Sequence, residues 1–240
     1  MTSNGSTAMR LGVSFLPVRM MVALQAAVLV LLLFGAPLGA AQAAPAPATG
    51  ARVYFMRGLA NVFSLGLDQI AYRLQQQGIS SETHNYIVWA SVADEAAALY
   101  KSGRIKTIIL VGHSSGATYL PDMVARLDRQ GVPVKLAIGL DSVFHTSLTG
   151  HVGRYINFYV ANGAGTRVER TTGFRGTLEN VDVDQVPGVG HLTIDKNEVM
   201  QRKIIAAIDA AVASGPSIEP VAAPATGAPR RPATSKRAAN

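Results

Sequence analysis

A chain of 240 residues has room for one domain with tails, and its lack of cysteine excludes disulfides, a thiolate nucleophile and cysteine-ligated metal. The formal charge of +7 overstates how basic the folded part is. Removing two leader arginines and the tail's four cations and one acid leaves +2 for residues 44–214. Such a balanced core gives no support to nucleic-acid binding.

Residues 20–34, "MMVALQAAVLVLLLF", are apolar apart from Gln25 and follow Arg10 and Arg19. Small residues come next, with Ala41-Gln42-Ala43 as a small-x-small site. The pattern predicts a signal peptide over residues 1–43, cut after Ala43, and hence an exported protein, periplasmic or secreted. An uncleaved anchor in the inner membrane is the alternative, since about 20 apolar residues span a bilayer. Residues 44–51 read as a linker and 52–214 as the domain. Residues 215–240, rich in Pro and Ala and carrying Arg230, Arg231, Lys236 and Arg237, read as a disordered tail. Leader or basic tail is where membrane contact is possible, a plain solvated end being the other reading of the tail.

Within the domain, "RVYFM" (52–56) predicts a strand. "SLGLDQIAYRLQQQG" predicts a helix with Leu65, Ile70 and Leu74 on one face and Gly78 at its end. "THNYIVW" (83–89) reads as a strand, and Ser91 with Asp94 as the start of a helix through "VADEAAALYKSG". "TIILVG" (107–112) is a buried strand followed by a helix over about 115–129. "VKLAIGL" (134–140), "RYINFYVA" (154–161) and the more polar "LENVDVDQV" complete the strands. A last helix begins near Asp195, with Glu198 in its first turn. No internal repeat is visible.

Strands alternating with helices predict an α/β fold, three layers with a mostly parallel sheet covered on both faces. Such sheets carry their chemistry in loops at the carboxyl ends of the strands. The loops so selected are Gly58–Asn61, Trp89–Ser91, Gly112–Gly116, Asp141–His145, Asn162–Gly165 and the irregular Pro187–His191.

Gly112-His113-Ser114-Ser115-Gly116 joins a buried strand directly to a helix. A turn that sharp strains its central residue and projects the side chain outward, while the flanking glycines leave room for the chain to double back. Ser114 is therefore the candidate nucleophile, and the backbone N–H of Ser115 one oxyanion donor. The second donor is expected from "MRGLANVFSLG", at the N–H of Leu59 or Ala60. Asn61 and Ser64 suit helix starts as well. No Walker lysine and no G-x-G-x-x-G accompany the turn, which disfavours a nucleotide cradle.

A serine nucleophile needs a base and an orienting acid. His84 sits at a strand start, and His113 diverges from Ser114 and is assigned to packing. His145 and His151 follow the 134–140 strand, with His145 a candidate for the substrate pocket beside Asn61 and Trp89. His191, in the glycine-rich loop "VPGVGHLTID", is the expected base. Asp141 ends a buried strand at the ligand edge and is the expected acid; Asp182 and Asp184 are rivals placed on the solvent side of an edge strand. The order Ser114, Asp141, His191 is that of nucleophile-elbow hydrolases.

Taken together, "RGLANVFSLGLDQIAYRLQQQGI", "LVGHSSGA", "IGLDSV" and "GVGHLTID" resemble small bacterial α/β-hydrolases of the lipase/thioesterase-like group, across residues 52–212. In many members the acid follows the next strand, where this chain has Asn162-Gly163. The resemblance implies a fold reduced in strand number and without a long lid. It also implies a serine hydrolase acting on a small acyl ester or thioester, with no cofactor or metal, and a monomer is expected. The competing expectation is a hydrolase-shaped envelope protein with a vestigial site and a binding role.

Overall fold

The computed structural model describes residues 49–59 and 64–216. The signal peptide, most of the linker, the tail beyond its first two residues, Ala60 and Asn61 lie outside the described residues. The strands are β1 (Ala51–Arg57), β2 (Ser80–Asn85), β3 (Thr107–His113), β4 (Val134–Leu140), β5 (Thr146–Tyr159) and β6 (Val168–Asp182). The helices are α1 (Leu65–Gln76), α2 (Trp89–Lys101), α3 (Ser115–Thr118), α4 (Leu120–Arg129) and α5 (Glu198–Ala213). The strands form one sheet, ordered β2-β1-β3-β4-β5-β6, in which every neighbouring pair is parallel. Among the described residues no helix is long and apolar enough to cross a membrane.

Side chains on a strand alternate between its faces, so each central strand feeds two cores. Val53, Phe55, Ile109, Val111, Leu136 and Ile138 pack with Leu67, Ile70 and Leu74 of α1 and Ile204 and Ile208 of α5. Their alternates Tyr54, Met56, Ile108, Leu110 and Ala137 pack with Val92 and Ala96 of α2 and Met123, Val124 and Leu127 of α4. The sheet is therefore covered on both sides, which is why β3 is buried along its whole length. This is the expected three-layer α/β architecture, with six strands.

Several local expectations are corrected. Leu65 is exposed, and the buried face of α1 is Leu67, Ile70, Ala71 and Leu74. β2 stops at Asn85, whose side chain accepts from the Ile87 N–H and starts a 3₁₀ turn at Tyr86; Ser91 lies inside α2, not at its start. The helix after β3 is broken at Tyr119. Asn197, not Asp195, caps α5, accepting from the N–H groups of Val199 and Met200.

The largest departure concerns β5 and β6, which begin well before the predicted strands. Residues 160–167 alone connect these parallel strands of 14 and 15 residues. Such a link spans at most roughly 30 Å, whereas returning along a straight strand of this length needs about 45 Å. The strands are instead folded back on themselves. β4 pairs with β5 only from Val152 onward, and Gly150 (φ 87°) and Gly176 (φ 127°) take up the reversals. The first arms, 146–151 and 168–175, pair with each other, and Leu148 and Val168 join the apolar cluster of α4. Extended arms thus precede the predicted strands, and their residues carry no 3.6-residue period.

The elbow after β3 is closely packed. A Cβ at Gly116 would fall inside the van der Waals envelope of the Met56 carbonyl, where β1 passes the start of α3. Gly116→Ala is expected to lower the unfolding free energy by about 3 kcal/mol, because fixed backbone must move to admit the methyl group. A urea unfolding midpoint equal to that of the unaltered protein contradicts this.

Candidate active site

Ser114 occupies the bend between β3 and α3 with φ 58° and ψ −123°. A non-glycine residue there is strained by about 1–3 kcal/mol, held only because β3 and α3 fix both sides. Its amide donates to the Leu140 carbonyl and its carbonyl accepts from Thr118, so the bend is tied to β4 and to the helix. The hydroxyl projects from the carboxyl edge of the sheet.

Three separate loops meet at that edge. Ser114 Oγ lies 3.0 Å from His191 Nε2. His191 Nδ1 lies 2.7 Å from Asp141 Oδ2. Because a carboxylate only accepts, Nδ1 carries the proton and Nε2 is left to accept from the serine hydroxyl. The second Asp141 oxygen accepts the Val160 N–H at 2.7 Å. Asp141 is fully buried and has φ 53°, so a second strained turn aims this carboxylate. A Cβ at Gly165 would collide with Asp141 Oδ1, so the loop after β5 closes directly over the acid. Asp182 and Asp184 face elsewhere: they bind the Ala161 N–H and the Asn162 side chain on the outer strand.

His191 stands on the turn from Gly190 to Ile194, closed by the Ile194 N–H to the Gly190 carbonyl. That turn is anchored from below. Four residues after His191, Asp195 accepts the Gly66 N–H at 2.8 Å and so satisfies an amide at the start of α1. Gln201 of α5 donates to the Asp195 carbonyl and to Gln69. His113 is buried under the site with Nδ1 2.8 Å from Ser64 Oγ and Nε2 2.8 Å from the His191 carbonyl. Burial holds the His113 imidazole below the usual histidine range and the Asp195 carboxyl above the usual carboxylate range. Sequence patterning shows neither residue's role: Asp195 has the look of a helix start, and His113 that of a packed neighbour.

A cavity of about 190 Å³ opens beside the serine, lined by Gly58, Leu59, Ser64, His113, Ser114, His191 and Leu192. Leu59 and Leu192 form its exposed apolar lips. Of the predicted pocket residues, His145 is exposed after β4 and Trp89 stacks on Tyr119; neither is among those lining residues. Leu59 is placed at the cavity, whereas Ala60 and Asn61 are not described. Ser115 begins α3, where helix geometry leaves the first amides without intrahelical acceptors. Among the described residues no group of three His, Cys, Asp or Glu side chains could hold a metal ion.

No family model matches the chain, and no curated protein matches it. It is similar to several solved structures. Human thioesterase 2 matches 68% of this chain and 96% of its own, at 9% identity and a TM-score of 0.47. An acetylxylan esterase matches 71% and 100%, at 15% identity and a TM-score of 0.44. The alpha/beta hydrolase domain-containing protein 10 from mouse matches 68% and 90%, at 9% identity and a TM-score of 0.42.

Proposed function

We propose that this protein is a serine hydrolase. The observation that carries the reading is the unbroken chain from Ser114 Oγ through the His191 ring to a buried Asp141, assembled from three loops at one sheet edge. Core packing alone gives no reason to bring these groups together, because each must be kept from its ordinary water partners.

More particularly, the protein cleaves an ester or thioester. Ser114 Oγ attacks the acyl carbonyl while His191 Nε2 takes its proton, and the imidazolium so formed is held by Asp141. The tetrahedral oxyanion rests on the N–H of Ser115 and on an amide of the loop after β1, at Leu59 or Ala60. Gly58 is not that donor, since its N–H is spent on Ser64. His191 then hands the proton to the leaving alcohol or thiol. Water, deprotonated in turn by His191, releases the acid from the Ser114 acyl-enzyme. The cavity is smaller than the roughly 300–1,000 Å³ of drug-sized ligand pockets, which favours a short acyl group between Leu59 and Leu192.

A fluorophosphonate probe is expected to form one covalent adduct, mapped to the peptide that contains Ser114. Folded protein that takes no label at Ser114 overturns the reading. Export belongs to the same proposal, on the charge and apolar pattern of residues 1–43. Its check is N-terminal sequencing of the mature protein, expected to begin at Ala44.

A further inference from the structure

We infer that His113 and Ser64 are a positioning pair that ties the backbone of His191 to the loop after β1, setting the base and the neighbouring oxyanion amide through one hydrogen-bonded chain. The inference rests on the serine-hydrolase reading above.

The direction of every bond in the chain follows from its ends. The His191 carbonyl can only accept, so His113 Nε2 carries the hydrogen. In the neutral ring Nδ1 is then bare, and the Ser64 hydroxyl donates to it. The Ser64 oxygen in turn accepts the Gly58 N–H at 3.0 Å. The chain thus runs from the Gly58 amide, through Ser64 and the His113 ring, to His191. One end precedes Leu59, whose amide is a proposed oxyanion donor. The other is the residue that carries the base.

Two features separate this from ordinary packing. Ser64 stands at the N-cap of α1, yet its side chain makes no capping bond to that helix. Serine at that position usually stabilises a helix by accepting one of its first amides. Asp195 supplies the missing acceptor for the Gly66 amide, which leaves Ser64 to the chain. The second feature is the placement of the anchors on His191. Asp141 holds Nδ1 of the imidazole and His113 holds the carbonyl of the same residue, so ring and backbone are fixed independently. The two rings lie with centroids 5.2 Å apart and tilted by 37°, close enough for movement of one to displace the other.

The test is steady-state hydrolysis of p-nitrophenyl acetate by the full chain, with thermal melting as the check on folding. In His113→Asn the short amide occupies the place of Nδ1 and nothing reaches the His191 carbonyl. In His113→Gln the longer amide returns an N–H to the position of Nε2. His113→Asn is expected to lower kcat about 10- to 100-fold with KM within about twofold, because orientation of the base counts chiefly in the transition state. His113→Gln is expected to recover kcat to within about fivefold of the unaltered protein. Overturning results are His113→Asn with an unaltered kcat, or His113→Gln no faster than His113→Asn. Should neither His113 variant fold, Ser64→Ala carries the comparison. A kcat loss of about fivefold or more at constant KM supports the chain, and an unaltered kcat overturns it. If the unaltered protein shows no turnover that depends on Ser114, the hydrolase reading itself has failed, and the inference with it.

Discussion

Ser114→Ala is expected to abolish turnover of short p-nitrophenyl esters, with a loss in kcat of about 10⁴- to 10⁶-fold. In the proposed mechanism the serine forms the covalent bond to the acyl group, and among the described residues that line the cavity no other side chain offers a comparable nucleophile. His113 is spent on Ser64 and His191, and the Ser64 hydroxyl is buried and engaged at both of its polar functions. The fold should survive. The substitution removes one oxygen, and alanine at φ 58° carries much the same backbone strain as serine. The measurement is kcat beside the melting temperature. A variant that melts normally and retains more than about one tenth of the activity leaves Ser114 without its role.

Asp141→Asn should come second in size, lowering kcat by about 10⁴-fold. The substitution is nearly isosteric, and an amide oxygen can still accept the Val160 N–H, so the turn after β4 keeps its bond. What changes is the group facing His191 Nδ1. If the amide oxygen stays with Val160, an NH₂ donor is turned toward the ring in place of an acceptor. Imidazole then places its hydrogen on Nε2, and the serine proton has no acceptor. Asp141→Ala tests a different thing. It also orphans the buried Val160 amide, so a further stability loss of about 1–3 kcal/mol is expected relative to Asn. Equal stability of the Asn and Ala variants would show that the Val160 bond does not matter. An Asn variant as active as the unaltered protein would remove Asp141 from the mechanism.

Much of this site is written in short windows of the chain. A strand of five branched residues, a glycine, a serine two places on and a second glycine require a tight strand-to-helix bend, and the structure has it with Ser114 at positive φ. The central strands β1, β3 and β4 were legible for a related reason: strands buried on both faces read as continuous apolar runs bounded by turn residues. Where reading failed, the pattern belonged to contacts rather than to local geometry. Polar, irregular 146–151 and 168–175 gain their β structure from each other, so neither shows an amphipathic period by itself. Ser64 and Asp195 have the residue types of helix caps. Only the docked start of α1 shows Asp195 taking the amide and Ser64 turning to His113.

By itself the sequence determined the alternation of strands and helices, the elbow and the type of group it presents, because each depends on backbone sterics and side-chain period within about a dozen residues. The partners of that group were decided only by the tertiary structure. Asp141 and His191 are 50 residues apart, and Ser114 and His191 are 77 apart. Whether they touch depends on which strand ends lie side by side. The parallel order β3-β4-β5 puts the ends that carry Ser114 and Asp141 next to each other. The anchored turn at 190–194 brings His191 back over both, while Asp182 and Asp184 remain on the outer strand. Hydrogen bonds act only across about 3 Å, so residue type nominates a partner but packing alone delivers it.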